Sequence, residues 1–117
     1  MPINQLNNNV INYPTLIEFS QKISQLARST ALPYFRSKLL IEDKSDLSPV
    51  TIADQQTELK IRALIKNTFP EHGILGEEFG GGACDSEYTW VIDPIDGTRA
   101  FVMGIPLFTT LVALLKE

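Results

Sequence analysis

The chain has 117 residues, a single cysteine, 44% hydrophobic residues and 21% charged residues. That is one ordinary globular domain at most, with no internal disulfide. A net charge of −4 excludes nucleic-acid binding through a basic face. It leaves small anionic substrates open, because a bound cation reverses the sign of a local site.

Residues 1–12, "MPINQLNNNVIN", are polar and read as a loose N-terminus ahead of a domain over 13–117. They lack the basic and apolar regions of a secretory signal. No apolar stretch reaches the roughly 18–20 residues that span a bilayer. A cytoplasmic protein without a membrane partner is therefore expected.

Thr15 and Glu18 have the spacing of a capping box, and Leu16, Phe19, Ile23, Leu26 and Ala27 follow at helical intervals. This predicts a first helix over about 15–36, ended or kinked by Pro33. "LLIED" at 39–43 has the form of a short strand, and "KSDLSP" that of a polar turn interrupted by Pro49. Thr51 and Asp54 mark the start of a second helix. Its apolar face is Ile61, Leu64, Ile65, Thr68 and Phe69, and Pro70 and Gly73 close it. "GILGEE" is a short apolar run ending in two acids, and "GGGACDSE" a mobile glycine-rich loop. "YTWVID" reads as a buried strand that "PIDGTRAF" breaks, and "PLFTTLVALL" as another strand with Pro106 at its start. Helices followed by strands give an α+β or layered α/β fold.

The acids fall at the ends of these elements. Glu77 and Asp93 each follow an apolar run, so two adjacent strands would bring their carboxylates together at the sheet rim. Carboxylates in contact repel and need a counter-charge. Oxygen donors without His or Cys suit a hard cation, Mg²⁺ above all. In "DPID", Asp93 ends the strand, Pro94 prevents the ladder from continuing, the Ile95 carbonyl is freed and Asp96 follows on the turn. Gly97 allows a tight turn, and a short helix starting there would offer the Gly97 and Thr98 N–H groups to a phosphate.

Each residue also has a plainer account. Asp54 suits a helix start capped by Thr51, Glu77 and Glu78 suit a solvated loop, and "DG" suits a simple turn. Thr98 has the form of an N-cap, Lys44 of a surface lysine, His72 of a solvated turn residue and Cys84 of an incidental loop thiol. Trp90 suits core packing. Their joint order favours chemistry: an acid at a helix start, then "GEE" after a strand, then strand and "DPIDGT".

"GEE" followed by "WVIDPIDGT" resembles the inositol monophosphatase superfamily of Mg²⁺-dependent phosphomonoesterases. "SPVTIAD" and "GIPLFTTLVALL" are most similar to its histidinol-phosphate phosphatase branch. The resemblance covers roughly residues 15–115. It implies the N-terminal half of a layered αβαβα sandwich, and an enzyme hydrolysing a small phosphate monoester, histidinol phosphate being favoured over inositol 1-phosphate. Two or three Mg²⁺ ions are implied in the complete site.

By the same resemblance, Glu77, Asp93 and the Ile95 carbonyl hold one ion, and Asp93 bridges to a second that Asp96 also binds. Glu77, Asp54 and Thr98 hold and activate the attacking water, the last two as a hydrogen-bonded pair. Gly97 and Thr98 amides hold the phosphate, and Lys44 lies on a loop near a third metal or the phosphate. The partner is a small phosphorylated metabolite, and the complete domain is a possible homodimer. The family fold is about twice this length, so the resemblance implies a truncated chain, poorly soluble and inactive alone. An inactive fragment or non-catalytic partner of a full-length paralogue is the main alternative, and an acidic cation-binding module a third.

Overall fold

The computed structural model describes residues 11–37, 48–81 and 86–117. The expected strand at 39–43, Lys44, Cys84, most of the N-terminal segment and the middle of the glycine-rich loop lie outside the described residues.

Helix α1 spans Tyr13–Ala31. Its cap is Asn12, whose Oδ1 accepts the Thr15 backbone N–H at 2.9 Å, so Thr15 lies inside the helix instead of capping it. Pro14 fits the first turn, where no N–H is needed. The helix stops earlier than the expected 36: Pro33 has no N–H to continue the ladder, and the chain tightens into a 3₁₀ turn over Leu32–Tyr34.

Helix α2 spans Pro49–Thr68 and is capped by Ser48, whose Oγ accepts the Thr51 N–H at 3.2 Å. Pro49 therefore opens the helix instead of interrupting structure. Asp54 lies beyond the first turn, so the capping account of it fails. Ile61 and Ile65 are fully buried on the expected face, whereas Thr68 is exposed in the last turn.

Three strands follow: β1 (Gly73–Gly76), β2 (Tyr88–Asp96) and β3 (Thr109–Lys116), with the short helix α3 (Thr98–Met103) between the last two. The order is β1-β2-β3, with β1 parallel to β2 and β3 antiparallel to it. The fold is thus α+β, helices first and a mixed sheet after. β2 does not break at Pro94 as the sequence suggests. It continues to Asp96 through an irregularity between Asp93 and Asp96, where three steps on β2 match two on β3, from Leu111 to Thr109. A bulge is where a central strand tolerates proline.

The helices cover one sheet face. Phe19, Ile23 and Ala27 of α1 and Ile61 and Ile65 of α2 pack with Ile74, Trp90 and Ile92. Phe19 meets the rings of Phe69 and Trp90 edge-on at 4.9 and 5.1 Å. His72 belongs to this cluster and is not a solvated turn residue. It is half-buried, stacks on Phe69 at 4.7 Å, and its Nδ1 accepts the Trp90 indole N–H at 2.9 Å. A second cluster, Ala31, Ala53, Ile95 and Phe101, joins α1, α2 and α3 to the end of β2. The opposite sheet face is open, with Leu75, Leu111 and Leu115 exposed.

The first cluster carries the fold. Ile61→Ala should lower the unfolding free energy by about 2–5 kcal/mol, the usual cost of emptying a packed aliphatic site, read from the urea midpoint.

Candidate functional site

The parallel register pairs Gly76 with Ile92, and the Glu77 N–H extends the ladder by donating to the Ile92 carbonyl at 3.1 Å. Both strands therefore reach the same rim, where Glu77 and Asp93 come together as the apolar runs before them suggest. Carboxyl ends of parallel strands are common places for ligands. With Leu75, Val91, Leu111 and Ala113, these two acids line a concavity on the open sheet face.

Crowding shows in the proton affinities. Burial first, then the hydrogen bond shared with Glu77 and the charges of Glu77 and Asp96, push Asp93 up to about 6, although the Ile95 backbone N–H works the other way. Burial, followed by the Glu78, Asp93, Glu77 and Glu58 carboxylates, pushes Asp54 up to about 7. Glu78 is raised by burial, and then by Glu58 and Asp93. So α2 delivers Asp54 to the same carboxylates that β1 and β2 assemble.

A hard cation fits this site on two observations. The donors are all oxygen, and Asp93 Oδ1 is buried with no hydrogen-bond partner. Among the described residues, however, no three acidic, His or Cys side chains converge tightly enough to form a finished cage.

The remaining predicted residues lie just beyond. Ile95 has its side chain in the second cluster, while Asp96 is exposed at the end of β2. Gly97 adopts φ 89°, in the left-handed region, and a Cβ there would come within 2.7 Å of the Leu107 carbonyl oxygen. Only glycine suits that corner. Thr98 is exposed at the start of α3. The expected Asp54–Thr98 pair is not what the structure shows, because the Thr98 hydroxyl donates to the Ile95 carbonyl at 3.3 Å. On the other side of the bulge, the Thr110 hydroxyl donates to the Pro94 carbonyl at 2.8 Å.

Sequence reasoning missed Glu58, which is fully buried. Its carboxylate accepts the backbone N–H groups of Glu78 and Phe79 at 2.8 and 2.9 Å and pairs with Arg62. A signal existed: residues 54, 58, 61 and 65 fall on one helical stripe, so Glu58 shares the buried face with two isoleucines.

A mixed sheet backed by helices gathers carboxylates at one rim. The comparisons give the family. The inositol monophosphatase family model matches residues 12–117. Bifunctional phosphatase IMPL2 of Arabidopsis thaliana is 53% identical over 87 residues, 72% of this chain and 25% of that protein. A histidinol-phosphatase of Mycobacterium tuberculosis is 46% identical over 79 residues, 68% of this chain and 30% of that one. An inositol monophosphatase structure from Zymomonas mobilis superposes with TM-score 0.75 at 40% identity, over 91% of this chain and 40% of that chain. The chain belongs to the inositol monophosphatase family. It spans 25–40% of these relatives' lengths, so they exceed the expected factor of two.

The raised carboxyls set a pH dependence. Folded Asp54 keeps its proton up to about 7, against 3.8 for an ordinary aspartate. Across that window the folded state binds more protons, so this group's contribution to stability is lost as pH rises. His72 is lowered by burial, opposed by Glu71, and acts in the other direction. Comparing variants isolates the carboxyl: in a chelator, Asp54→Asn should melt higher than wild type at pH 8, with the gap closing towards pH 4. Millimolar Mg²⁺ should shrink the gap at pH 8. Thermal melts at three pH values check this.

Proposed function

We propose that the chain is the motif-bearing part of a Mg²⁺-dependent phosphomonoesterase acting on a small phosphorylated metabolite, with histidinol phosphate the favoured substrate. The observation that carries this reading is the rim where Glu77 meets Asp93, whose Oδ1 is buried and unpartnered. The relative named histidinol-phosphatase supports the substrate. Inositol 1-phosphate is the runner-up, on the likeness to the Zymomonas mobilis structure.

In this reading Glu77, Asp93, Asp96 and the Ile95 carbonyl hold the ions, of which the complete site takes two or three. When bound, Mg²⁺ supplies neutralisation of the phosphate charge and a more acidic water. Asp54, which α2 brings to these carboxylates, would accept the proton of that water. Thr98 turns its hydroxyl from Ile95 towards Asp54 and orients the same water. Gly97 and Thr98 present backbone N–H groups to the phosphate, and Lys44, outside the described residues, is assigned to the phosphate or a third ion. No side chain is needed as a covalent nucleophile. This reading places the protein in the cytoplasm and allows a homodimer once the full domain is present. Among the described residues no helix is long and apolar enough to cross a membrane.

The open sheet face supports a further part of the reading. Leu75, Leu111 and Leu115 are exposed, and β3 has a neighbour on one side only among the described strands. A site whose concavity opens onto this face needs a cover. The chain alone is therefore poorly soluble and inactive, and the same observation favours the second reading, a non-catalytic fragment.

One experiment separates the two. The chain is joined to the remaining length of a histidinol-phosphatase relative, and phosphate release is followed with histidinol phosphate and with inositol 1-phosphate. Mg²⁺-dependent turnover of histidinol phosphate is expected only after joining. Asp93→Asn should lower it by at least about a hundredfold, since even partners of metal ligands cost about 10–100-fold. No turnover in the joined protein, or indifference to Asp93→Asn, sinks the enzymatic reading.

A further inference from the structure

Glu58 is fully buried, yet it is spent neither on the core nor on the metal set proposed above. Burying a carboxylate is costly unless every oxygen is engaged, and here each one is. Oε1 accepts the Glu78 N–H at 2.8 Å, and Oε2 accepts the Phe79 N–H and Arg62 Nε, both at 2.9 Å. Arg62 also donates from its terminal nitrogen to the Gly80 carbonyl. Two residues one turn apart on α2 therefore hold two donors and one acceptor of the same five-residue turn.

That turn is closed on itself as well. Gly76 and Gly80 exchange backbone hydrogen bonds at 2.9 and 2.8 Å. Gly76 is bare because the Glu58 carboxylate fills the space its Cβ would occupy. Glu77 is the first residue past Gly76, at the corner that enters the clamp. Its backbone is tied to β2 through Ile92 on one side. On the other side its next two residues are tied to α2 through Glu58.

We propose that Glu58, backed by Arg62, is the positioning residue of the acidic rim. It fixes the backbone on the C-terminal side of Glu77, so that the Glu77 carboxylate is held against Asp93 despite their repulsion. This rests on the reading of Glu77 and Asp93 as cation ligands. It accounts for the glycine of "GEE", which admits the Glu58 carboxylate, while residue 78 contributes only its backbone N–H.

The test uses the full 117-residue chain, carried on a soluble fusion partner, with Mn²⁺ alone as the probe. Mn²⁺ affinity is read by electron paramagnetic resonance, backbone-amide exchange by mass spectrometry, and overall folding by Trp90 emission. In Glu58→Gln an amide NH₂ replaces one of the accepting oxygens. We expect exchange across 77–80 to rise at least about tenfold and Mn²⁺ affinity to fall about tenfold or more, with Trp90 emission unchanged. Arg62→Lys keeps the charge but not the two-way reach, and should give a smaller change in both readouts. It serves in place of Glu58→Gln should the latter lose the native Trp90 emission. Asp93→Asn should abolish Mn²⁺ binding while leaving exchange at 78 and 79 as in wild type. Unchanged exchange in both clamp variants overturns the clamp. Faster exchange with wild-type Mn²⁺ affinity overturns the positioning role. Wild-type protection without any Mn²⁺ binding overturns the cation reading, and with it the positioning role, while leaving the clamp as a fact of the fold.

Discussion

Two parallel strands held in register force the groups at the end of their shared ladder to meet. β1 and β2 are in register at Gly76 and Ile92, so the next residues along, Glu77 and Asp93, have no freedom to separate. In water, two such carboxylates would move apart. Here the backbone ladder holds them, and burial first, then the repulsion, raises the proton affinity of Asp93 and, through α2, of Asp54. The rest of the site can be understood as ways of containing that repulsion: a buried carboxylate that grips the turn on one side, and a bulge that turns the chain on the other.

The bulge solves a geometric problem. A strand delivering Asp93 to the rim must also present Asp96 and a carbonyl within a few residues, which regular alternation does not permit. One extra residue between Asp93 and Asp96 changes the phase of β2. The Ile95 side chain then drops into the second cluster beside Ala53 and Phe101, anchoring the turn to α2 and α3. Gly97 takes a backbone shape closed to other residues, and α3 starts. At its far end, Gly104 is tied back by Arg36, whose Nε donates to its carbonyl at 2.8 Å. The corner is thus braced at both ends.

Much of this was legible in the sequence, for physical reasons. Helical spacing of Phe19, Ile23 and Ala27, and of Ile61 and Ile65, gave two helices with the correct buried faces. The apolar runs before Glu77 and Asp93 gave strands ending in acids. The errors came where local signals were degenerate. Thr15 and Asn12 are both good caps, as are Thr51 and Ser48, and only the tertiary structure chooses between them. Pro94 looks like a strand terminator unless the bulge is known. Glu58 and Arg62, four apart, have the spacing of an ordinary solvated ion pair. Nothing local reveals that the turn after β1 will fold over them. His72 was hidden in the same way, its role being set by Trp90, distant in sequence.

The close approach of Glu58 to Gly76 also constrains how the family's members can diverge. The space beside α2 holds either a carboxylate or a methyl group at residue 76, not both. A larger residue at 76 would push the Glu58 side chain away, leaving the Glu78 and Phe79 N–H groups without their acceptor. A change at either position alone therefore disturbs the grip on the turn. A residue buried in a helix and a glycine at the end of a strand, 18 positions apart, thus divide a single space between them.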